Sequence, residues 1–246
     1  MSPPGRPKGE YRSAQHEGAS MSGKAFANRT EAGRALARRL VAMAIPPPVV
    51  VLALPRGGVP VAAEVARALG APLDLLLVRK IGAPWNPELA VAAVVDGDPP
   101  DIVVDEFTSR MSGVNQDYIQ TQASHELREI ARRREVYLRG RTPVPVKGAS
   151  VIVVDDGVAT GTTIRAAIKA LRRRHPARLV LAVPVAPADT VAALREEADE
   201  VVCLAQPEPF HAIGLHYGDF HQVPDDEVLA ALAAAPPPGP TAAEPP

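Results

Sequence analysis

The chain has 246 residues, 46% of them hydrophobic and 22% charged, with a formal net charge of -1, which fits one globular domain or little more and excludes a wholly disordered chain. Near-neutral charge excludes a global attraction for nucleic acid or anionic membrane, so a bound anion must be held by a local site. The one cysteine, Cys203, excludes an internal disulfide, and no stretch approaches the roughly 18 apolar residues of a membrane helix, so a soluble cytoplasmic protein is expected.

Residues 1–23 are polar and rich in Gly, Ser and Pro, and read as a disordered N-terminal tail. One domain is expected over 24–235. It opens with a helix faced by Leu36, Leu40 and Met43, followed by an apolar strand at 49–54. The loop LPRGGVP (54–60) comes next, where Gly57 and Gly58 free backbone N–H groups and Arg56 offers a fork-shaped cation suited to a diphosphate. A second helix, faced by Val61, Val65, Ala68 and Leu69, leads to strands at 73–78, 90–95 and 101–104. Arg79 and Lys80 stand at the end of the first of these. GAPWNPE (82–88), with the chain's one tryptophan, reads as a Gly/Pro lid carrying Glu88 as a candidate acid or base.

Residues 112–139 read as a polar helical excursion from the sheet, touching the core through Ile119, Leu127, Ile130 and Tyr137. Its arginines (Arg128, Arg132, Arg133, Arg134, with Arg139 and Arg141 following) make a solvated basic face, a second anion site or RNA contact being the alternative. Strands follow at 150–155, 178–185 and 200–205, and a helix faced by Ile164, Ala167, Ile168 and Leu171 lies between the first two. Most of these strands are apolar without alternation, as in strands covered on both faces, so the expected fold is α/β with a mostly parallel central sheet flanked by helices and right-handed connections. Cys203 reads as a buried small hydrophobe. His211, His216 and His221 recur every fifth residue, but without helical spacing or a cysteine partner they read as loop histidines. Asp225, Asp226 and Glu227 suit the first turn of a closing helix, and 236–246 reads as a disordered Pro/Ala-rich tail.

In open α/β sheets ligands gather at the carboxyl ends of strands, and VIVVDDGVATGTT (151–163) occupies such an end. Gly161 lets the backbone turn close to a ligand, the helix starting near Thr162 points free N–H groups outward, and Thr160, Thr162 and Thr163 add hydroxyl donors, which together make a phosphate cradle. Asp155 and Asp156 repel phosphate. They are suited instead to accept from vicinal hydroxyls or to hold a hydrated divalent cation. Phosphate beside diol describes a ribose 5-phosphate. A dinucleotide oxidoreductase is excluded by the lack of Gly-x-Gly-x-x-Gly after any strand.

Four hydrophobics, two acids, two variable residues and Ala-Thr-Gly-Thr-Thr resemble the 5-phosphoribosyl pyrophosphate (PRPP) signature of type I phosphoribosyltransferases. NPELAVAAV, the polar helix and VAVPVAP followed by ADEVVCL are similar to a group of uncharacterised bacterial members, and the resemblance covers about residues 24–232. It implies that Asp155 and Asp156 hold the ribose hydroxyls and that Ala159, Thr160, Gly161, Thr162 and Thr163 hold the 5-phosphate. It also implies that Arg56, Gly57 and Gly58 form the pyrophosphate loop, with a non-proline cis peptide at 55–56 or 56–57. Lys80 then approaches the pyrophosphate, Mg²⁺ assists its departure, and a nitrogenous acceptor such as a nucleobase attacks C1. The hood over that acceptor is 203–232, with Phe210 and Tyr217 as stacking faces and Asp219 or backbone groups reading its edge. Ala159 stands where 6-oxopurine enzymes carry an aspartate, which resembles the adenine-type signature instead. Family analogy suggests a homodimer. The alternative is a PRPP- or nucleotide-sensing regulator of the same fold.

Overall fold

The structure, a computed structural model, describes residues 24–236; apart from Pro236, the two expected tails lie outside them. Five strands form one parallel sheet in the order β2-β1-β6-β7-β8. They are β1 (Val49–Ala53), β2 (Leu73–Leu75), β6 (Ser150–Val154), β7 (Arg178–Val185) and β8 (Glu200–Ala205). Branched and aliphatic runs such as VVVLA and SVIVV suit these positions, because both faces are covered and neither needs polar residues. Val51, Ala53, Ile152 and Val154 face one core with α1 (Arg29–Val41) and α2 (Gly58–Leu69). Val50, Leu52, Val151 and Val153 face the other with α5 (Thr162–Arg172) and α6 (Ala188–Leu194).

The strand order reverses direction beside β1. From β1 the chain crosses to β2 on one side, whereas β6, β7 and β8 build outward on the other. The pairing runs from Val49 opposite Ser150 to Ala53 opposite Val154, so β1 and β6 end at the same level. Their C-terminal loops therefore meet at a topological switch point, where such sheets bind ligands.

The sequence reading of a single strand at 73–78 is corrected. Its first half is β2, and its continuation is β3 (Val78–Ala83), which forms a separate antiparallel sheet with β4 (Asn86–Val95) and β5 (Asp101–Val104) in the order β3-β4-β5. Leu76 N donates to Ala53 O, while Leu77 O already accepts from Asp96 N, so the chain changes partners within two residues. Arg79 and Lys80 consequently lie on β3 rather than at a parallel strand end. The expected lid is the tip of the β3–β4 hairpin, with Pro84 and Trp85 as its turn. Prolines at 84 and 87 suggested a loop, yet the register shifts near Gly82 and Ala83 excuse Pro87 from donating a ladder hydrogen bond.

The short α3 (Glu106–Met111) leads into α4 (Gln116–Leu138), a continuous 23-residue helix capped by the Asn115 side chain, which accepts from Tyr118 N. The small sheet lies between α4 and α5. Buried Ile119, Ala123, Ile130 and Tyr137 fasten α4 down, and the Tyr118 hydroxyl donates to Gly82 O at 2.9 Å. Its basic face is largely paired within the protein. Arg132 and Arg133 bond Glu129, Arg134 bonds Asp96 at 2.7 Å, and Arg139 lies 3.2 Å from Glu135. Among the described residues no helix is long and apolar enough to cross a membrane. Ile130→Ala should lower unfolding free energy in urea by about 2–5 kcal/mol through loss of buried volume, whereas Arg132→Ala, on the exposed side, should leave the midpoint in place.

Candidate functional site

At the switch point the two loops abut with no space between them. Leu54 N donates to Val154 O at 2.9 Å, and Gly58 N closes the turn onto Leu54 O at 3.1 Å. A Cβ on Gly57 would lie 2.6 Å from Asp156 Cγ, and one on Gly58 2.7 Å from Val154 O. The two glycines thus let the Arg56 loop lie directly on the acids, and the expectation that both free their N–H groups is corrected at Gly58, whose N–H is taken by Leu54 O. The Pro55–Arg56 peptide is cis, one of the two positions at which the resemblance implies such a bond.

The acids occupy unlike environments. Asp155 Oδ1 accepts from Asp156 N at 2.9 Å, and burial together with the neighbouring Asp156 charge holds the Asp155 carboxyl well above the usual carboxylate range. Asp156 is buried, and its Oδ2 accepts from Arg29 Nε at 2.8 Å. Beyond them Gly161 adopts the left-handed conformation, φ 76°, from which α5 starts with no side-chain cap. Its first N–H groups thereby carry no side-chain cap, as in helix starts that accept anions, and they are flanked by the Thr160 and Thr162 hydroxyls, which lie 3.3 Å apart. Thr163 follows in the first turn.

Other sequence-derived candidates fall elsewhere. Arg56 Nη1 lies 3.4 Å from Asp225 Oδ1 on α7 (Asp225–Ala234), and that carboxylate also accepts from the Tyr137 hydroxyl at 2.6 Å. The Tyr137 bond is the main cause holding Asp225 below the usual carboxylate range. Lys80 Nζ and Glu88 Oε2 lie 3.8 Å apart across the hairpin, with the Glu88 side chain 90% exposed. Trp85 is 66% exposed at the tip, its indole N–H 3.5 Å from Ser112 O.

Tyr217 offers no stacking face, which corrects the expectation. It is 1% exposed, packs against Phe26, and donates its hydroxyl to Asp156 O at 2.5 Å. Phe210 does border an open pocket, shared with Ala159, Thr160, Pro187, Asp189 and Thr190. Its ring stacks on His216 at 5.4 Å, and Thr190 Oγ1 donates to Ala159 O at 2.9 Å. Asp219 is engaged by His221, whose imidazole pKa is raised by Glu227 and Asp219. Among the described residues no three His, Cys, Asp or Glu side chains group as a metal site. Arg29 and Phe220, both at the acids or their cation, carried no local signal, because Arg29 reads as one more charge in an Arg-rich helix.

The chain matches the phosphoribosyl transferase domain over residues 27–217. It belongs to the phosphoribosyl transferase domain family. It is 46% identical over 212 residues to the provisionally named phosphoribosyl transferase Rv0571c of Mycobacterium tuberculosis (strain ATCC 25618 / H37Rv), covering 86% of this chain and 47% of that protein. The chain therefore spans about half the length of the curated relatives it matches. The crystal structure of TT1426 from Thermus thermophilus is 44% identical, with a TM-score of 0.74 over 84% of this chain and 97% of that one. Gly57→Ala should cost about 1–3 kcal/mol by overpacking against the Asp156 carboxylate, read as a lower urea midpoint.

Proposed function

We propose that this chain transfers the 5-phosphoribosyl group of PRPP to a nitrogen nucleophile, with release of pyrophosphate. The observation that carries this reading is the meeting, at one switch point, of the Arg56–Gly58 loop, the two aspartates and the uncapped threonine-rich start of α5. Each part suits one section of the substrate. The α5 start cradles the 5-phosphate, Asp155 and Asp156 accept from the ribose hydroxyls, and the Arg56 loop lies where the diphosphate leaves C1.

In the reaction the C1–oxygen bond breaks with its electron pair going to pyrophosphate. The acceptor nitrogen forms the new bond to C1 and passes its proton to Glu88, the candidate base, or to solvent. Charge develops mainly on the leaving group, so positioned cations contribute most. Arg56 must exchange Asp225 for the diphosphate, and Lys80 must exchange Glu88. The carboxylate pair, with one member held by Arg29, fits Mg²⁺ bound partly through phosphate oxygens, the usual way this ion is held. When bound, the ion supplies further neutralisation of the departing pyrophosphate.

The acceptor belongs in the pocket bordered by Ala159, Pro187 and Phe210. Ala159 supplies no carboxylate to a purine ring nitrogen, which favours an amino-substituted base over a 6-oxopurine. Pairing of Arg132, Arg133, Arg134 and Arg139 with acidic side chains favours the enzyme over a nucleic-acid-binding regulator.

Pyrophosphate release from PRPP with Mg²⁺, screened against adenine, guanine, hypoxanthine, xanthine, uracil, orotate and small amines, tests the reading. Release with one acceptor is expected, and Asp155→Asn should lower kcat/KM for PRPP by about ten- to a hundredfold, the scale of a charged hydrogen bond. PRPP binding without release from any acceptor would replace the transferase with the sensor.

A further inference from the structure

Arg29 opens α1, where the helix dipole disfavours a cation, and yet the residue is only 7% exposed. Three contacts hold it there. Its Nε donates to Asp156 Oδ2 at 2.8 Å, its Nη1 donates to the His221 carbonyl oxygen at 2.8 Å, and its guanidinium carbon lies 3.9 Å from the Phe220 ring centroid. Among the described residues it is the one cation paired with either site aspartate.

The surrounding backbone ties the same elements together. Phe26 N donates to His216 O, Gly218 N to Phe26 O and Asp219 N to Ala27 O, while the Tyr217 hydroxyl reaches Asp156 O. The segment before α1 is thus threaded into residues 216–221, and both converge on Asp156. A buried ion pair adds little net stability, because desolvating two charges offsets their attraction. What the guanidinium fork does supply is a fixed direction for the carboxylate.

We propose that Arg29 is a positioning residue for phosphoribosyl transfer: it turns Asp156 Oδ2 inward, leaves Oδ1 for a ribose hydroxyl, and ties Phe220 and the His221 carbonyl to the same carboxylate. This rests on the reading of Asp155 and Asp156 as the ribose acids. Arg29 acts through Asp156 and touches neither the acceptor nor C1.

Calorimetric titration with PRPP and Mg²⁺ tests this on the full chain, its Arg29→Gln, Arg29→Lys and Asp156→Asn variants, and the Arg29→Gln/Asp156→Asn pair. Arg29→Gln should weaken PRPP binding by about ten- to a hundredfold, with Arg29→Lys in between, because an ammonium keeps the charge and loses the fork. The double variant should bind no worse than the weaker single one, since both changes remove the same oriented carboxylate. With the acceptor found, KM for PRPP should rise while KM for the acceptor stays level. Additive losses, or unchanged PRPP affinity in a folded Arg29→Gln protein, would overturn the role. Should Arg29→Gln fail to fold by circular dichroism, Phe220→Leu keeps the ion pair and removes the ring, and it should weaken PRPP binding about two- to fivefold, the scale of an exposed cation–π contact; unchanged affinity there also counts against the role. A wild-type chain with no PRPP affinity overturns the ribose reading and this inference with it, whereas wild-type binding with unaltered variants overturns Arg29 alone.

Discussion

The constraint on which the site depends is the in-register pairing of β1 with β6. Because Ala53 lies opposite Val154, the turn after one strand falls onto the turn after the other, close enough that no Cβ fits at Gly57 or Gly58. A slip of β1 by one residue would turn Val51 and Ala53 toward the α5 face and Val50 and Leu52 toward α1 and α2, while β6 kept its own facing, so apolar packing on both sides enforces the register. Hydrophobic burial away from the strand ends thereby decides how a cationic loop and two carboxylates meet.

Around that contact four sequence-distant side chains converge on two aspartates. Asp156 takes Arg29 from α1 on its carboxylate and the Tyr217 hydroxyl on its main-chain carbonyl, while Asp225 on α7 gathers Arg56 and Tyr137. The long polar helix is therefore more than an insertion riding on the small sheet. Through Tyr137 it reaches the carboxylate that also bonds Arg56, so the excursion and the Arg56 loop share one acceptor supplied by the closing helix.

The legible features were those written in consecutive residues. Strand ends with their following loops, the glycine-threonine turn into α5, the acidic first turn of α7 and the position of Pro55–Arg56 all follow from local composition and one family signature. What escaped depends on pairing across the chain. The break between β2 and β3 is a change of hydrogen-bond partner inside an unbroken apolar run, and apolar periodicity carries no information about partners. Tyr217 looked like a stacking ring because a tyrosine in a polar loop usually shows a face. Here Phe26, 191 positions earlier in the numbering, covers it. Arg29 was hidden for the same reason, its partner lying 127 residues away.

The lone indole of Trp85 gives the molecule a built-in optical label. All tryptophan emission from this chain arises at the tip of one hairpin, from a ring two-thirds exposed and resting on the carbonyl of Ser112. The colour and polarisation of that light report the surroundings of the arm that also bears Lys80 and Glu88, with no extrinsic dye attached and no second fluorophore of its kind to obscure the signal.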